Sequence, residues 1–421
     1  MKPLMAIPFV SCCSLAIAFL SRAANCQEGE GEAEKPALRM GDRDPELLRR
    51  VNAAIVKGAD WLRKQQKDDG SWAPALAAAE PPLDLPSGKT ALALLALRKC
   101  GDPADFECIG KGFDWLRRQP LKKVKEAALR LLALEARFDP GAPRHVPVPK
   151  RRILVPAPEK DWMRECVEFL IENRVASGKI RGEDASASPP GLDVWNGPPG
   201  KGDHENTMFA LLGLKAASRC GLEVPEEIWT RTLRHFLEVQ EMEGPEVDRM
   251  VLIEDKETGR PWFKPRGEHP DRARGWCRCA AEIAKREDPN AVAVANGSMT
   301  CAGLSCVAMA LEELGPMCRP DLKSSGERAT WDGLAWLAHN WRIDAGPRQP
   351  DGWDPIFYLF CLAKAGERTW TRAFGRHDWY REGAEWLLAR QGKDGSWDDP
   401  MTPGPVSNTC FALLFLAPQT R

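Results

Sequence analysis

The sequence predicts an all-α fold, a closed double ring of about twelve helices built from six outer-plus-inner pairs. Three observations predict it. A segment at Gly58–Trp72 (GADWLRKQQKDDGSW) returns at Gly383–Trp397 (GAEWLLARQGKDGSW) with nine of 15 positions identical. A second, apolar segment follows each copy. The first and last copies are also the most alike, whereas an open solenoid would end in atypical caps.

The outer helices are marked by an aromatic anchor. Weaker copies occur at Gly112–Pro120, Phe169–Ile180, Phe236–Gln240 and Trp336–Asn340. The anchors Trp61, Trp115, Phe169, Phe236, Trp336 and Trp386 are spaced by 54, 54, 67, 100 and 50 residues. Gln65, Gln119, Gln240 and Gln391 recur shortly after the anchor, with Asn173 and Asn340 in their place elsewhere. Charge on one face (Lys57, Asp60, Arg63, Lys64) makes these helices amphipathic and places them outside.

The inner helices are the apolar segments Lys89–Leu97, Asn206–Leu214 and Asn408–Leu416, the last two alike at seven of nine positions. Glu126–Leu134, Met299–Leu311 and Ile356–Ala365 fill the other slots. Apolar on nearly every side, they belong in a buried layer, and closing the ring hides every inner face.

The turn between the two layers carries the rest of the motif. Gly70 and Gly395 permit a positive φ, Trp72 and Trp397 can stack on the glutamine amide, and that amide can satisfy orphan backbone groups at the next helix end. These residues suit structure rather than chemistry, and they account for 16 Trp against 2 Tyr.

The termini and charge frame this domain. Met1–Lys2, an apolar run from Leu4 to Leu20, and small residues around Ser21–Cys26 read as a signal peptide over 1–26, hence an exported protein, periplasmic or extracellular. Residues 27–45 are acidic and apolar-poor, a flexible leader, and the ring occupies 46–421. With 59 Lys+Arg against 60 Asp+Glu there is no basic surplus for nucleic acid, and no later stretch suits a membrane span. Three insertions interrupt the ring at 139–160, 182–202 and 242–297. The last holds Trp262, Phe263, Trp276, Arg260, Arg266, Arg272 and Arg274, read as solvated charge with the makings of a partner surface.

The Gly58–Trp72 and Gly383–Trp397 segments resemble the QW repeats of the squalene–hopene cyclase and protein-prenyltransferase superfamily. The resemblance implies an (α/α)6 toroid over residues 47–421 whose central cavity takes isoprenoid chains in family enzymes. Cyclases of that superfamily protonate an alkene with an Asp-x-Asp-Asp-Thr motif at the start of an inner helix. That chemistry needs a carboxyl kept protonated in a dry site.

At that register the sequence offers Ser87-Gly88-Lys89-Thr90, Gly297-Ser298-Met299-Thr300 and Val406-Ser407-Asn408-Thr409, none acidic. Only Asp203-His204-Glu205-Asn206-Thr207 carries acids, making Glu205 the candidate acid with Asp203 and His204 tuning it. The plainer reading is a helix cap. His235, His269, Asp271, Cys277 and Cys279 cluster in sequence without a zinc-ligand spacing, so neither metal nor cofactor is expected. Cys100 and Cys108 flank a short loop and are the disulfide candidates, while Cys166, Cys301, Cys306, Cys361 and Cys410 read as core.

The expected function is a non-catalytic or unassigned module that binds an isoprenoid or other apolar ligand in its cavity, or a protein partner on its loops. The alternative is a divergent squalene-type cyclase with Glu205 as general acid. Inner-helix aromatics Phe209, Phe360, Phe411 and Phe415 would be substrate cage in the second reading and core in the first.

Overall fold

The computed structural model describes residues 44–72, 86–139, 152–176, 193–195, 204–254, 261–265, 269–278, 295–348, 355–398 and 404–417. The signal segment, nearly all the leader and much of the insertions lie outside these. Among the described residues are twelve α-helices, alternating between two layers.

The outer helices are α1 (Pro45–Lys64), α3 (Glu107–Arg117), α5 (Ala157–Glu172), α7 (Glu226–Val239), α9 (Pro320–His339) and α11 (Trp379–Leu388). The inner ones are α2 (Pro86–Lys99), α4 (Val124–Phe138), α6 (His204–Arg219), α8 (Gly297–Leu314), α10 (Pro355–Arg368) and α12 (Pro405–Leu416). Each inner helix packs on the next, and α12 packs on α2, so the inner ring closes. Among the outer helices α11 meets α1, which completes the second ring. No described helix is long and apolar enough to cross a membrane.

Composition sorts the layers. In α12 everything from Ser407 to Leu416 is buried, and in α8 everything from Gly297 to Val307. By contrast α1 buries a single stripe, Leu47, Val51, Ala54, Ile55, Gly58, Ala59 and Leu62. Charged side chains are also buried within the inner ring, most of them on α4 (Glu126, Arg130 and Glu135), with Lys215 on α6. Arg130 lies over the Trp162 ring at 5.7 Å, and its Nη1 donates to the Gln119 carbonyl at 3.2 Å.

The recurring turn is one hydrogen-bonded unit. Trp397 donates its indole N–H to the Leu387 carbonyl (2.9 Å), while its backbone N–H donates to Thr409 Oγ1 (3.0 Å) at the start of α12. Gln391 Nε2 donates to Gly395 O and, across the seam, to Ala54 O in α1, both at 2.9 Å. Trp72 repeats this with Leu62 O (2.7 Å) and Thr90 Oγ1 (3.1 Å). There, however, the stapling amide is Gln66, donating to Gly70 O (2.9 Å) and to Cys108 O in α3 (2.8 Å). Gln65, which the sequence reading placed in the motif, is instead the exposed C-cap of α1. The physical reason is direction. One residue earlier on the helix points the side chain 100° away from the turn.

A third copy had been hidden by an insertion. Trp276 donates its indole N–H to Phe236 O (2.9 Å) and its backbone N–H to Thr300 Oγ1 (3.2 Å). Gln240 Nε2 donates to Arg274 O and to Ala329 O in α9, each at 3.0 Å. Trp276 is therefore ring structure, not part of the 242–297 insertion, whose last residue, Gly297, opens α8. In all three copies a glycine on the next outer helix makes room for the indole. A Cβ on Gly58, Gly112 or Gly333 would lie 2.8, 3.0 or 2.7 Å from Trp397, Trp72 or Trp276.

The remaining motif residues are local. Gly70 (φ +94°) and Gly395 (φ +102°) turn the chain where a Cβ would strike the Lys111 or Lys57 carbonyl. Trp115 bonds Asp69 and Trp61 bonds Asp394, adding to the Ser71 and Ser396 backbone N–H groups that chiefly hold those carboxyls below the usual range. Trp386 lies under Arg390 (3.9 Å). Gln119 and Asn340 only bond back to Trp115 O and Trp336 O.

All three insertions are partly described, the 182–202 one through strand Asp193–Trp195, which pairs with Arg174–Ala176. The 139–160 segment reaches α5 at Ala157, and Ile153 N–H binds Arg219 O (2.9 Å). In the third, strands Glu246–Val247 and Asp271–Arg272 pair, as do Met250–Glu254 and Pro261–Pro265. This insertion docks on α9. Arg274 and the Arg272 N–H both bind the buried carboxylate of Asp332, and Arg249 clamps Asp271 (2.6 and 2.8 Å) above the Trp331 ring. Arg274 is thus internal, not solvated charge; Arg260 and Arg266 lie outside the described residues.

Cys100 and Cys108 are both free thiols, so the disulfide expected between them is not formed. Burial pushes the Cys100 thiol up to about 12, and the Cys108 carbonyl is engaged by Gln66.

Two outcomes test the repeated unit. Gln391→Ala strips the partner from two carbonyls and should cost about 1–3 kcal/mol in denaturant unfolding, whereas Gln65→Ala should stay within about 0.5 kcal/mol. Trp276→Ala should cost as much as Trp397→Ala, about 3–5 kcal/mol. A small effect at Trp276 would make it an insertion residue after all.

Candidate functional site

The inner helices start at one mouth of the ring. Residues in their first turns meet there, as Lys125 of α4 and Glu205 of α6 do, while ends of the same helices meet at the other mouth, as in Lys99–Asp139 and Arg219–Glu135. The first of these is the N-terminal mouth.

Glu205 forms an ion pair with Lys125 Nζ, and the two side chains keep 14% and 15% exposure. Lys125 also sits over the face of Phe209, 5.5 Å from its centroid. The candidate acid is therefore one half of an ion pair, its carboxylate facing the ammonium of a neighbouring inner helix. Asp203 lies outside the described residues.

Phe209 stacks with Phe360 (5.9 Å) and Phe357 (6.4 Å), although α6 and α10 are separated in the ring by α8. Phe411 of α12 closes the group against Phe357 (5.3 Å) and Phe360 (5.0 Å). Four rings from three helices therefore meet across the axis just inside the N-terminal mouth. Phe357 and Phe411 each keep 8% exposure, while Phe209 and Phe360 keep 2%. Phe415 belongs elsewhere, stacked on Tyr380 toward α11 (5.7 Å).

His204 does not approach this cluster. Its backbone N–H binds Arg278 O (3.0 Å), its Nδ1 lies 2.6 Å from Cys277 O, and its Nε2 lies 3.0 Å from His235 Nε2. A carbonyl only accepts, so His204 carries its proton on Nδ1, its Nε2 accepts, and His235 donates from Nε2. His235 Nδ1 is then a bare acceptor with no hydrogen-bond partner. Both rings pack on Phe236 (4.8 and 5.3 Å). Burial pushes His204 down to about 4 despite the Cys277 carbonyl, and burial plus the neighbouring His204 drives His235 well below the usual value. The sequence reading grouped His235 and Cys277 with His269 and Asp271, but Asp271 is engaged by Arg249; Cys279 lies outside the described residues. No group of three metal-ligating side chains occurs among the described residues.

Two solved structures of MstE, a type II terpene cyclase from Scytonema, match this chain in fold. A variant in complex with merosterolic acid A (product) is 11% identical, covers 88% of this chain and 97% of its own, and has a TM-score of 0.47. The apo enzyme is 12% identical over 88% of this chain and 98% of its own, with a TM-score of 0.46. No family model matches the sequence, and no curated protein matches it.

Lys125→Met leaves the Glu205 charge half-buried without a counter-ion and should destabilise the chain by about 1–3 kcal/mol. The double variant Lys125→Met/Glu205→Gln should recover most of that loss in the same denaturant assay. Additive losses would mean that the two side chains do not interact.

Proposed function

We propose that the chain is an exported, non-catalytic α/α toroid that binds an apolar ligand at the N-terminal mouth of its inner ring. The observation that carries this reading is the pairing of Lys125 with Glu205 above the Phe209 ring. Protonating an alkene requires a neutral carboxyl of high acidity. Glu205 instead has its carboxylate engaged by the Lys125 ammonium, so no free carboxyl stands at this register for that role.

The phenylalanine group supports the binding half of the proposal. Rings from α6, α10 and α12 meet on the axis, so a ligand entering here would rest on Phe357 and Phe411 rather than pass through. An aromatic floor with one ion pair on its wall suits a mostly apolar molecule with few polar groups. The QW-like turns and the resemblance they carry favour an isoprenoid chain. A loop-borne protein partner has less support, because Arg249 and Arg274 are committed to Asp271 and Asp332. Export rests on the signal-like segment at 1–26.

The test is to titrate the mature chain with squalene and with polyprenyl diphosphates, follow tryptophan fluorescence, and recover the ligand afterwards. Saturable binding with unchanged ligand is expected. A cyclised product that disappears in Glu205→Gln would overturn the non-catalytic reading, and absence of any binding would sink the ligand.

A further inference from the structure

We propose that His204 and His235 form an acid-sensitive clasp that fastens the strap Asp271–Arg278 to the start of α6 and to α7, and that acidification releases it while the ring stays folded. The clasp joins three parts of the chain that are distant in sequence. His204 opens α6 and holds two successive strap carbonyls, Cys277 O through its ring and Arg278 O through its backbone. His235 in α7 supplies the proton that occupies His204 Nε2.

This arrangement works only while both rings are neutral. A proton on His204 Nε2, 3.0 Å from His235 Nε2, forces His235 to carry its own hydrogen on Nδ1 instead. A proton on His235 Nδ1 would be buried with nothing to accept it. A buried charge without partner or counter-ion is expensive, so protonation must open the site.

Among the described residues no neighbouring charge relieves this. On α7, Arg231 pairs with Glu227, and Arg234 faces Glu238. On α6, Glu205 is held by Lys125. On the strap, Asp271 is held by Arg249, Arg274 by Asp332, and Arg278 is exposed. On α8, Asn296 caps its own helix. Burial, the Cys277 carbonyl and the other imidazole are the influences that act on the pair.

The sign follows from linkage. Both folded-state values lie below the ordinary imidazole value, so the clasp is intact above about pH 6.5 and weakens as the pH falls toward 4.

The experiment is hydrogen–deuterium exchange of the full chain between pH 7 and pH 4, corrected for the intrinsic rate. Peptides covering 204–207, 232–236 and 271–278 should lose protection by at least about tenfold, while those from α2 and α4 keep theirs. His235→Phe preserves volume but cannot donate, so its strap should exchange fast at pH 7 and show no further pH dependence. Should that variant fail to fold, the wild-type imidazole titration decides by NMR: two of the six histidines must resist protonation to below pH 5. Exchange of the strap that is equal at pH 7 and pH 4, or six histidines titrating between pH 6 and 7, would overturn the proposal.

Discussion

The interaction on which this architecture depends is a glutamine amide that donates both of its hydrogens at once, one to its own turn and one to the neighbouring outer helix. Each outer helix ends with carbonyls that have no helical partner. A Gln four residues after the indole's acceptor reaches across that gap and joins adjacent repeats. At the seam Gln391 takes Ala54 of α1, so residues 337 positions apart in sequence are bonded as neighbours. In these three copies a Thr hydroxyl near the head of the inner helix then binds the backbone N–H of the same Trp, joining the two layers. Ring closure is thus written into a local motif and not only into the apolar inner wall.

Where the motif is missing, other chemistry spans the same gap. Between α9 and α11 the link is Trp341, whose indole donates to Glu382 Oε2 at 2.8 Å while its face stacks on His377 at 4.7 Å. His377 in turn bonds the other Glu382 oxygen at 3.1 Å. At the second turn Arg130 reaches the Gln119 backbone instead. At these five turns a side-chain donor makes the link, and its identity varies.

This freedom explains what was legible in the sequence. The ring, its six pairs and its layer assignment follow from period and apolarity, which survive drift because any hydrophobe of about the right size will serve. The ungapped match of Gly58–Trp72 to Gly383–Trp397 already sets Gln66 opposite Gln391. Naming Gln65 counted from the anchor and ignored that register. Trp276 was missed because it follows Gln240 by 36 positions, and contiguity was the only guide. The His204–His235 pair lies beyond sequence reasoning altogether, since nothing in the spacing says that the first residue of α6 faces the middle of α7. The same holds for Lys125, which meets Glu205 only because α4 and α6 begin at the same mouth.

The closed ring also dictates what its interior can be. Six inner helices starting at one mouth aim their unpaired N–H groups toward it, and carboxylates in their first turns are stabilised there as anions. Glu205 sits in such a first turn with an ammonium already on it. The geometry that brings an acid to this mouth thus brings its counter-ion as well. Meanwhile four of the inner helices carry no acid in their first turn at all. Turning this mouth into a proton donor would take both removal of the Lys125 charge and a second carboxyl to share the proton with Glu205. The phenylalanines on the axis need no such change, because an apolar floor binds through area removed from water whatever the ionisation of its wall.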